Sequence, residues 1–496
     1  MKLIVKDVDI ATGDVLVVIL NQDDAALLDI HHNDRILIKK GNKSVIAIVD
    51  IGESAKAVPR HKIGLFEEVL DALKAKHGDT VHISLEKKPA SVAYIRKKLD
   101  GFELSKQQIY EIIEDIVNNK ITDIELASYV SANYTLGMSH KEIINMTLAI
   151  KNTGMQLKIK SSIVADIHCI GGVPGNRTTM IVVPILAAAG INIPKTSSRA
   201  ITSPAGTADT MEVLCNVSLP ITCLKRILDK HKGFIVWGGA VNLAPADDRI
   251  IKVEHPLSID AEGQMLASIM AKKASVGATH LLIDIPYGQG AKISTFREAR
   301  HFEHMFIDIG KSLNIKVACM LTDGSQPIGN GMGPALEAKD CLLVLKNDSR
   351  APKDLRIKSL EMAANMLEFS GHCKIGTGMS LAKHLLDSGK AHKKMLEIIN
   401  AQGKKIDNPD NIRLGKYKYV IKSNKNGTIK RIDSLIITKI ARLAGAPRTP
   451  TAGVYLHKHY NNTVKKNDAL LTIYSDGKDN IKFAIDFALK NKAFDI

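Results

Sequence analysis

Two stretches of the sequence concentrate groups that hold anions. Residues 171–179 read Gly-Gly-Val-Pro-Gly-Asn-Arg-Thr-Thr and residues 197–207 read Ser-Ser-Arg-Ala-Ile-Thr-Ser-Pro-Ala-Gly-Thr. Glycine lets the backbone come close to a ligand and point successive N–H groups at it, hydroxyls add donors, and a following helix N-terminus adds partial positive charge. Arg177, Lys195 and Arg199 stand beside these turns with full charges. Neither turn has the Gly-Lys-Ser/Thr ending of a P-loop, and no G-x-G-x-x-G follows a strand here, which argues against a dinucleotide. Both turns read as anion cradles.

A chain of 496 residues with 45% hydrophobic content buries a sizeable core in more than one domain. No apolar run of about 18 residues occurs and MKLIVKDVDI lacks a signal-peptide core, so a soluble, cytoplasmic protein without a membrane partner is expected. Six cysteines, Cys169, Cys215, Cys223, Cys319, Cys341 and Cys373, form no C-x-x-C pair and read as reduced thiols. His31, His32, His61 and His77 form no i, i+4 pair, so no metal is expected. The net charge of +16 is spread over short groups such as Lys87-Lys88 and Lys404-Lys405. That spread fits a solvated surface and an anionic small substrate better than nucleic acid.

Residues 1–90 carry short β-like runs, two of which echo each other at 28–38 and 73–83, and predict a small pseudo-symmetric barrel. From residue 94 to about 155 the period becomes helical: Ser105, Thr122 (with Glu125 completing a capping box) and Ser139 can cap helices, and Ile109, Ile112, Ile113 and Ile116 share a face. Strand-like runs at 163–166, 233–238, 281–285, 316–321 and 341–345 alternate with helical segments across 160–400, which predicts a parallel or mixed sheet covered by helices. Further helices follow Pro352. Residues 401–496 return to strands, with turns expected at Asn426-Gly427 and Lys466-Asn467-Asp468.

The run Ser-Ser-Arg-Ala-Ile-Thr-Ser-Pro-Ala-Gly-Thr-Ala-Asp-Thr-Met-Glu at 197–212, with DAEGQMLASIMAKK at 260–273, DIPYGQGAK at 284–292 and LTDGSQPIGNGMGPALE at 321–337, resembles the thymidine/pyrimidine-nucleoside phosphorylase family, in particular its longer branch that includes archaeal AMP phosphorylases. The resemblance extends over nearly the whole chain. It implies a two-lobed α/β protein: a small helical lobe at 94–155 joined by about 255–278, a larger α/β domain at 160–400 and a C-terminal α+β domain, preceded here by the barrel-like domain. It also implies a homodimer or higher homo-oligomer held through the helical lobe, and a cleft between the lobes.

Phosphorolysis at a sugar C1 places positive charge on the ring and negative charge on the leaving base. The protein must hold phosphate below the sugar and neutralise the base. For phosphate the candidates are Gly172, Thr178 and Thr179 in the first turn, and Ser197, Ser198, Arg199, Ala200, Ile201, Thr202, Ser203 and Thr207 in the second. The resemblance implies hydroxyl ligands at Ser197, Thr207 and one of the two threonines. For the base the candidates are His168, Asp260, Ser268, Lys272 and Lys292, with Ser268 and Lys272 one helical turn apart. The resemblance implies Asp260 as proton donor, with Ser268 and Lys292 on the nucleotide; a donor near neutral pH asks for a buried carboxyl.

Two departures bear on substrate. Ile167-His168-Cys169 stands where the pyrimidine enzymes have Lys-His-Ser, and Val253 stands where they have an arginine. The leading expectation is thymidine phosphorolysis to thymine and 2-deoxyribose 1-phosphate. The alternative is an AMP phosphorylase giving free base and ribose 1,5-bisphosphate. In either, inorganic phosphate is a co-substrate and no cofactor is expected. A metal-dependent phosphoribosyltransferase is disfavoured because no acidic pair stands near either turn. A nucleotide-binding protein without turnover is the non-catalytic reading.

Overall fold

The computed structural model describes residues 1–13, 15–200, 203–257 and 259–496, with the side chain of residue 255 set aside. It divides into two compact units, Met1–Ala149 with Arg249–Gln264, and Ile150–Asp248 with Met265–Ile496.

The first unit opens with six strands, β1 (Lys2–Asp7), β2 (Val17–Asn21), β3 (Arg35–Lys40), β4 (Lys43–Gly52), β5 (Lys62–Leu65) and β6 (Thr80–Leu85), closed into a barrel in the order β1-β5-β2-β4-β3-β6. Alternate residues Leu3 and Val5, Val18 and Leu20, Ile36 and Ile38, Val81 and Ile83 point inward and are buried. The echo in the sequence is a structural repeat. Helices Gln22–Leu27 and Glu67–Leu73 each lead into a turn whose aspartate accepts from the backbone three residues earlier, His31 N to Asp34 at 2.8 Å and Lys76 N to Asp79 at 2.8 Å. Each turn then enters a strand, and the two strands, β3 and β6, pair antiparallel.

Helices Ala90–Leu99, Lys106–Val117, Asp123–Leu136 and His140–Thr153 follow. Ser105 and Thr122 are capping-box N-caps, and Ser139 exchanges bonds with Glu142 in the same way, because each hydroxyl satisfies an otherwise unpaired N–H of the first turn. Ile109, Ile112, Ile113 and Ile116 are fully buried. Lys98 and Glu142 form a buried ion pair at 2.8 Å, and Arg249 binds Ile116 O at 2.7 Å and Asn119 Oδ1 at 2.8 Å, which ties Arg249–Gln264 to the helices.

The second unit is built on parallel strands. β7 (Ala165–Cys169), β10 (His280–Tyr287) and β11 (Lys316–Asp323) form a sheet in the order β11-β10-β7, and β8 (Ile193–Ser197) pairs parallel with β9 (Gly233–Trp237). A parallel bridge between Val164 and Asn192 joins the two pieces. Helices Thr179–Ala188, Pro334–Leu345, Lys353–Phe369, Gly378–Asp387 and Lys390–Ala401 enclose the core. One expected strand is not a strand: Cys341 to Leu345 are the last turn of helix Pro334–Leu345, buried on every side. A short apolar run reads the same in a buried helix as in a buried strand.

The C-terminal part holds β12 (Gly331–Met332), β13 (Tyr417–Lys422), β14 (Gly427–Thr428), β15 (Arg431–Ile432), β16 (Gly453–Leu456), β17 (Thr463–Val464), β18 (Ala469–Ser475) and β19 (Phe494–Asp495). The main sheet runs β12-β16-β18-β13. Lys466-Asn467-Asp468 is a turn, with Asn467 at φ 75°. Asn426-Gly427 is not a hairpin: β13 pairs with β18 and β14 with β17, so tertiary pairing overrides the local signal.

Candidate active site

The first glycine-rich turn connects β7 to the buried helix Thr179–Ala188, which has Thr178 as its N-cap. Gly171, Gly172 and Gly175 have φ of 96°, 92° and 74°, the region that L side chains avoid. Gly172 is also tied to its surroundings: a Cβ there would stand 2.3 Å from Lys292 N. Residues 291–292 therefore pass directly against the turn, and the exposed Lys292 side chain departs from that point. Thr178 and Thr179 are nearly covered, at 1% and 9% exposure.

The second turn leaves β8 at Ser197 and returns at helix Thr207–Glu212. Asp209 closes it by accepting from Ala200 N at 2.7 Å and Gly206 N at 2.9 Å, and Ser203 Oγ donates to Ala205 O at 2.8 Å. A Cβ on Gly206 would meet Ala200 N at 2.6 Å, so the two ends of the loop touch. Ser198 lies in the same loop, where its carbonyl accepts from Ala208 N at 3.4 Å. Ile201 and Thr202, both expected phosphate contacts, lie outside the described residues.

The three cations that the sequence sets beside the turns are held by carboxylates. Arg177 pairs with fully buried Glu337, donates to Ala205 O, and reaches Thr210 Oγ1 at 3.3 Å, so it binds the first turn to the second. Lys195 is 3.5 Å from Asp166, a buried carboxylate that also takes Lys273 at 2.9 Å. Burial and the neighbouring Lys273 push Lys195 below the usual lysine range, opposed by Asp166. Arg199 is clasped by Glu212 at 2.6 Å and Asp209 at 3.0 Å and stacks on Trp237 at 4.9 Å. These arginines order the turns, and the groups best placed for a ligand are N–H donors and hydroxyls.

His168 stands at the end of β7, partly buried. Burial, reinforced by Lys273, Lys195, Lys272 and Lys292, holds it well below the ordinary histidine range, which favours the neutral ring over the cation. Cys169 is pushed up to about 12 by burial and by Asp284, and its Sγ accepts from Asn176 Nδ2 at 3.2 Å. It is a turn residue and not a nucleophile. Ser268 and Lys272 share the helix Glu262–Ser275, and Lys272 faces the buried Asp247 at 2.5 Å. Asp260 belongs to the other unit and is exposed, without the burial that the proton-donor argument asks for.

Several residues of this region were not singled out by the sequence. Asp284, fully buried in the middle strand, accepts from Asn176 at 3.0 Å, Thr322 at 2.6 Å and Lys358 at 2.8 Å. The loop before helix Pro334–Leu345 braces the first turn: Ile328 N donates to Pro174 O at 3.1 Å, and a Cβ on Gly175 would lie 2.1 Å from Ile328 O. Asp340 holds that loop through Asn330 N and Gly331 N, both at 2.7 Å, and burial pushes its carboxyl up to about 7. Asp284 and Glu337 fall in motifs already noted as family-like; Lys358 carries no sequence signal at all.

Comparison with known proteins places this geometry. Residues 92–154 match the helical bundle domain of the glycosyl transferase family, residues 161–392 its a/b domain, and residues 428–494 the pyrimidine nucleoside phosphorylase C-terminal domain. An AMP phosphorylase of Methanocaldococcus jannaschii is 46% identical over 98% of this chain and 96% of its own length. An AMP phosphorylase of Pyrococcus furiosus is 44% identical over 98% of this chain and 95% of its own. Anthranilate phosphoribosyltransferase from Thermus thermophilus shares the fold, with a TM-score of 0.53 at 16% identity, covering 62% of this chain and 98% of that one. Among the described residues no helix is long and apolar enough to cross a membrane, and all six cysteines are free.

Proposed function

The chain belongs to the thymidine/pyrimidine-nucleoside phosphorylase family of glycosyl transferases, and we propose that within it the chain is a nucleoside 5′-monophosphate phosphorylase that acts on AMP. Inorganic phosphate attacks C1 of the ribose, the bond to the base nitrogen breaks, the base leaves with a proton, and the other product is ribose 1,5-bisphosphate. The observation that carries this reading is the full-length similarity, at 44–46% identity, to relatives that are AMP phosphorylases. It favours the monophosphate over thymidine, which the Ser268 and Lys272 pair alone left open.

The local chemistry agrees. Two phosphate groups, one on the substrate and one inorganic, need more positive potential than a neutral nucleoside does. Around His168 the four lysines Lys195, Lys272, Lys273 and Lys292 stand against two buried carboxylates, Asp166 and Asp247. On this reading Gly172 N–H, one of Thr178 and Thr179, and Ser197 to Ser203 with Thr207 hold phosphate. Ser268 and Lys292 contact the nucleotide, and Asp260, exposed as it stands, carries the proton-donor role on the family resemblance alone. The enzyme needs no cofactor and works as a homo-oligomer in the cytoplasm.

Release of free base from AMP, CMP, adenosine, uridine and thymidine, each with and without phosphate and with a chelator throughout, tests the proposal. Phosphate-dependent release from the monophosphates alone is expected. Release from thymidine or uridine in preference to AMP would return the function to a pyrimidine-nucleoside phosphorylase, and release that proceeds equally without phosphate would remove phosphorolysis altogether. Asp260→Asn is expected to lower kcat by about 100-fold or more with little change in KM, in the range typical of general acid catalysis.

A further inference from the structure

A line of buried hydrogen bonds runs from helix Lys353–Phe369 to the phosphate turn. Lys358, 8% exposed, places Nζ 2.8 Å from Asp284 Oδ2 and 3.0 Å from Thr322 Oγ1. Thr322 Oγ1 donates to Asp284 Oδ1 at 2.6 Å. Asn176 Nδ2 donates to Asp284 Oδ2 at 3.0 Å and lies 3.2 Å from Cys169 Sγ, so the donor side of its amide is committed. Its Oδ1 is thereby aimed at the start of helix Thr179–Ala188, where it accepts the proton of Thr178 Oγ1 at 3.2 Å. The line has a direction: an ammonium group and two other donors on a fully buried carboxylate, then an amide whose orientation that carboxylate sets, then a hydroxyl whose proton is already taken.

We infer that Lys358 is a positioning residue for the phosphate turn, acting through Asp284 and Asn176 on Thr178 and on the backbone of residues 171–179. A buried carboxylate that served only to balance a lysine would have no reason to reach the side chain of a turn residue three positions before the helix starts. Here the same carboxylate fixes Asn176, which lies between Gly175 and Arg177 in the turn itself. Losing the lysine charge would leave buried Asp284 without its compensating cation, so the carboxyl would take up a proton; a carboxylic acid can donate where the carboxylate only accepted, which lets the Asn176 amide reverse and the Thr178 hydroxyl turn with it. The inference rests on the phosphorolysis reading, since phosphate is the ligand this turn is assigned.

The test uses the full chain and inorganic phosphate as the probe, with dissociation constants from calorimetry and kinetic constants from base release. Lys358→Gln is expected to weaken phosphate binding about tenfold and to leave KM for AMP within about twofold, and Lys358→Arg to recover much of the loss. Asn176→Ala is expected to weaken phosphate by a similar factor. The double variant is expected to be no weaker than either single change, because both break one line. A folded Lys358→Gln protein with unchanged phosphate affinity, or a double variant whose losses multiply, would overturn the inference. If Lys358→Gln does not fold, Thr322→Val, which removes the hydroxyl between Lys358 and Asp284, decides: weaker phosphate binding supports the inference and equal affinity overturns it. A wild-type protein that does not bind phosphate would overturn both this inference and the phosphorolysis reading, whereas wild-type binding with unaffected variants overturns this inference alone.

Discussion

The two turns each carry one arginine, one proline and two threonines and are built in different ways. The first is braced from outside, by Glu337 through Arg177, by Lys358 and Asp284 through Asn176, and by the backbone at Ile328 and Lys292. The second is closed mainly by residues only a few positions away, with Asp209 accepting from Ala200 and Gly206 and Glu212 clasping Arg199, while Arg177 and Arg442 reach its Ala205 and Ser203 carbonyls from farther off. A turn fixed by distant, buried partners is rigid before any ligand arrives. One fixed by its own neighbours can reorganise at smaller cost. The difference also assigns the basic residues: an arginine beside a glycine-rich turn reads as a phosphate ligand from sequence, yet both arginines here are held by carboxylates.

Glu337→Ala should give the largest effect, because it strands Arg177 in a buried position; a loss of about 3–5 kcal/mol in denaturant unfolding is expected. A loss below 1 kcal/mol would mean that the first turn is not braced through this pair. Gly172→Ala comes next: its new methyl would sit 2.3 Å from Lys292 N. The turn must move, and base release should fall by about 100-fold, comparable to losing a positioned donor. Gly171→Ala, with φ 96° but no atom within 4 Å, is the control and is expected to cost only about 1 kcal/mol of stability.

Asp209→Ala probes the second turn. Its partner Arg199 is partly exposed and keeps Glu212, so a loss of about 1–2 kcal/mol is expected, smaller than for Glu337→Ala. An equal or larger loss would erase the contrast. The smallest effect is in pH dependence. His168 has a folded pKa below its unfolded value, so the unfolded chain takes up the extra proton and stability falls as pH drops through the ordinary histidine range near 6.5. His168→Gln should flatten that acid slope between pH 7 and 5 in thermal unfolding, and an unchanged slope would place the histidine in a different environment.

What the sequence made legible is local. The paired turns of the barrel declare themselves through their aspartates, the helix starts through Ser105, Thr122 and Ser139, and the two turns after β7 and β8 through glycine and hydroxyl content. What stayed hidden depends on residues far apart in the chain. Arg177 meets Glu337 because helix Pro334–Leu345 packs against the turn, and Asn176 meets Asp284 and through it Lys358 because the parallel sheet sets β7 and β10 side by side, with Cys169 opposite Asp284. No periodicity or spacing announces such a pair. The same reason explains the misread run at 341–345 and the absent hairpin at Asn426: each was decided by packing or pairing with distant segments.

The most direct measurement is the fate of labelled inorganic phosphate during base release from AMP. If the two turns cradle phosphate for attack at the sugar, the label should appear at C1 of a doubly phosphorylated ribose, one equivalent for each base released, and release should stop when phosphate is removed. Base release with the label still entirely in inorganic phosphate would mean that water is the nucleophile, and would contradict the account.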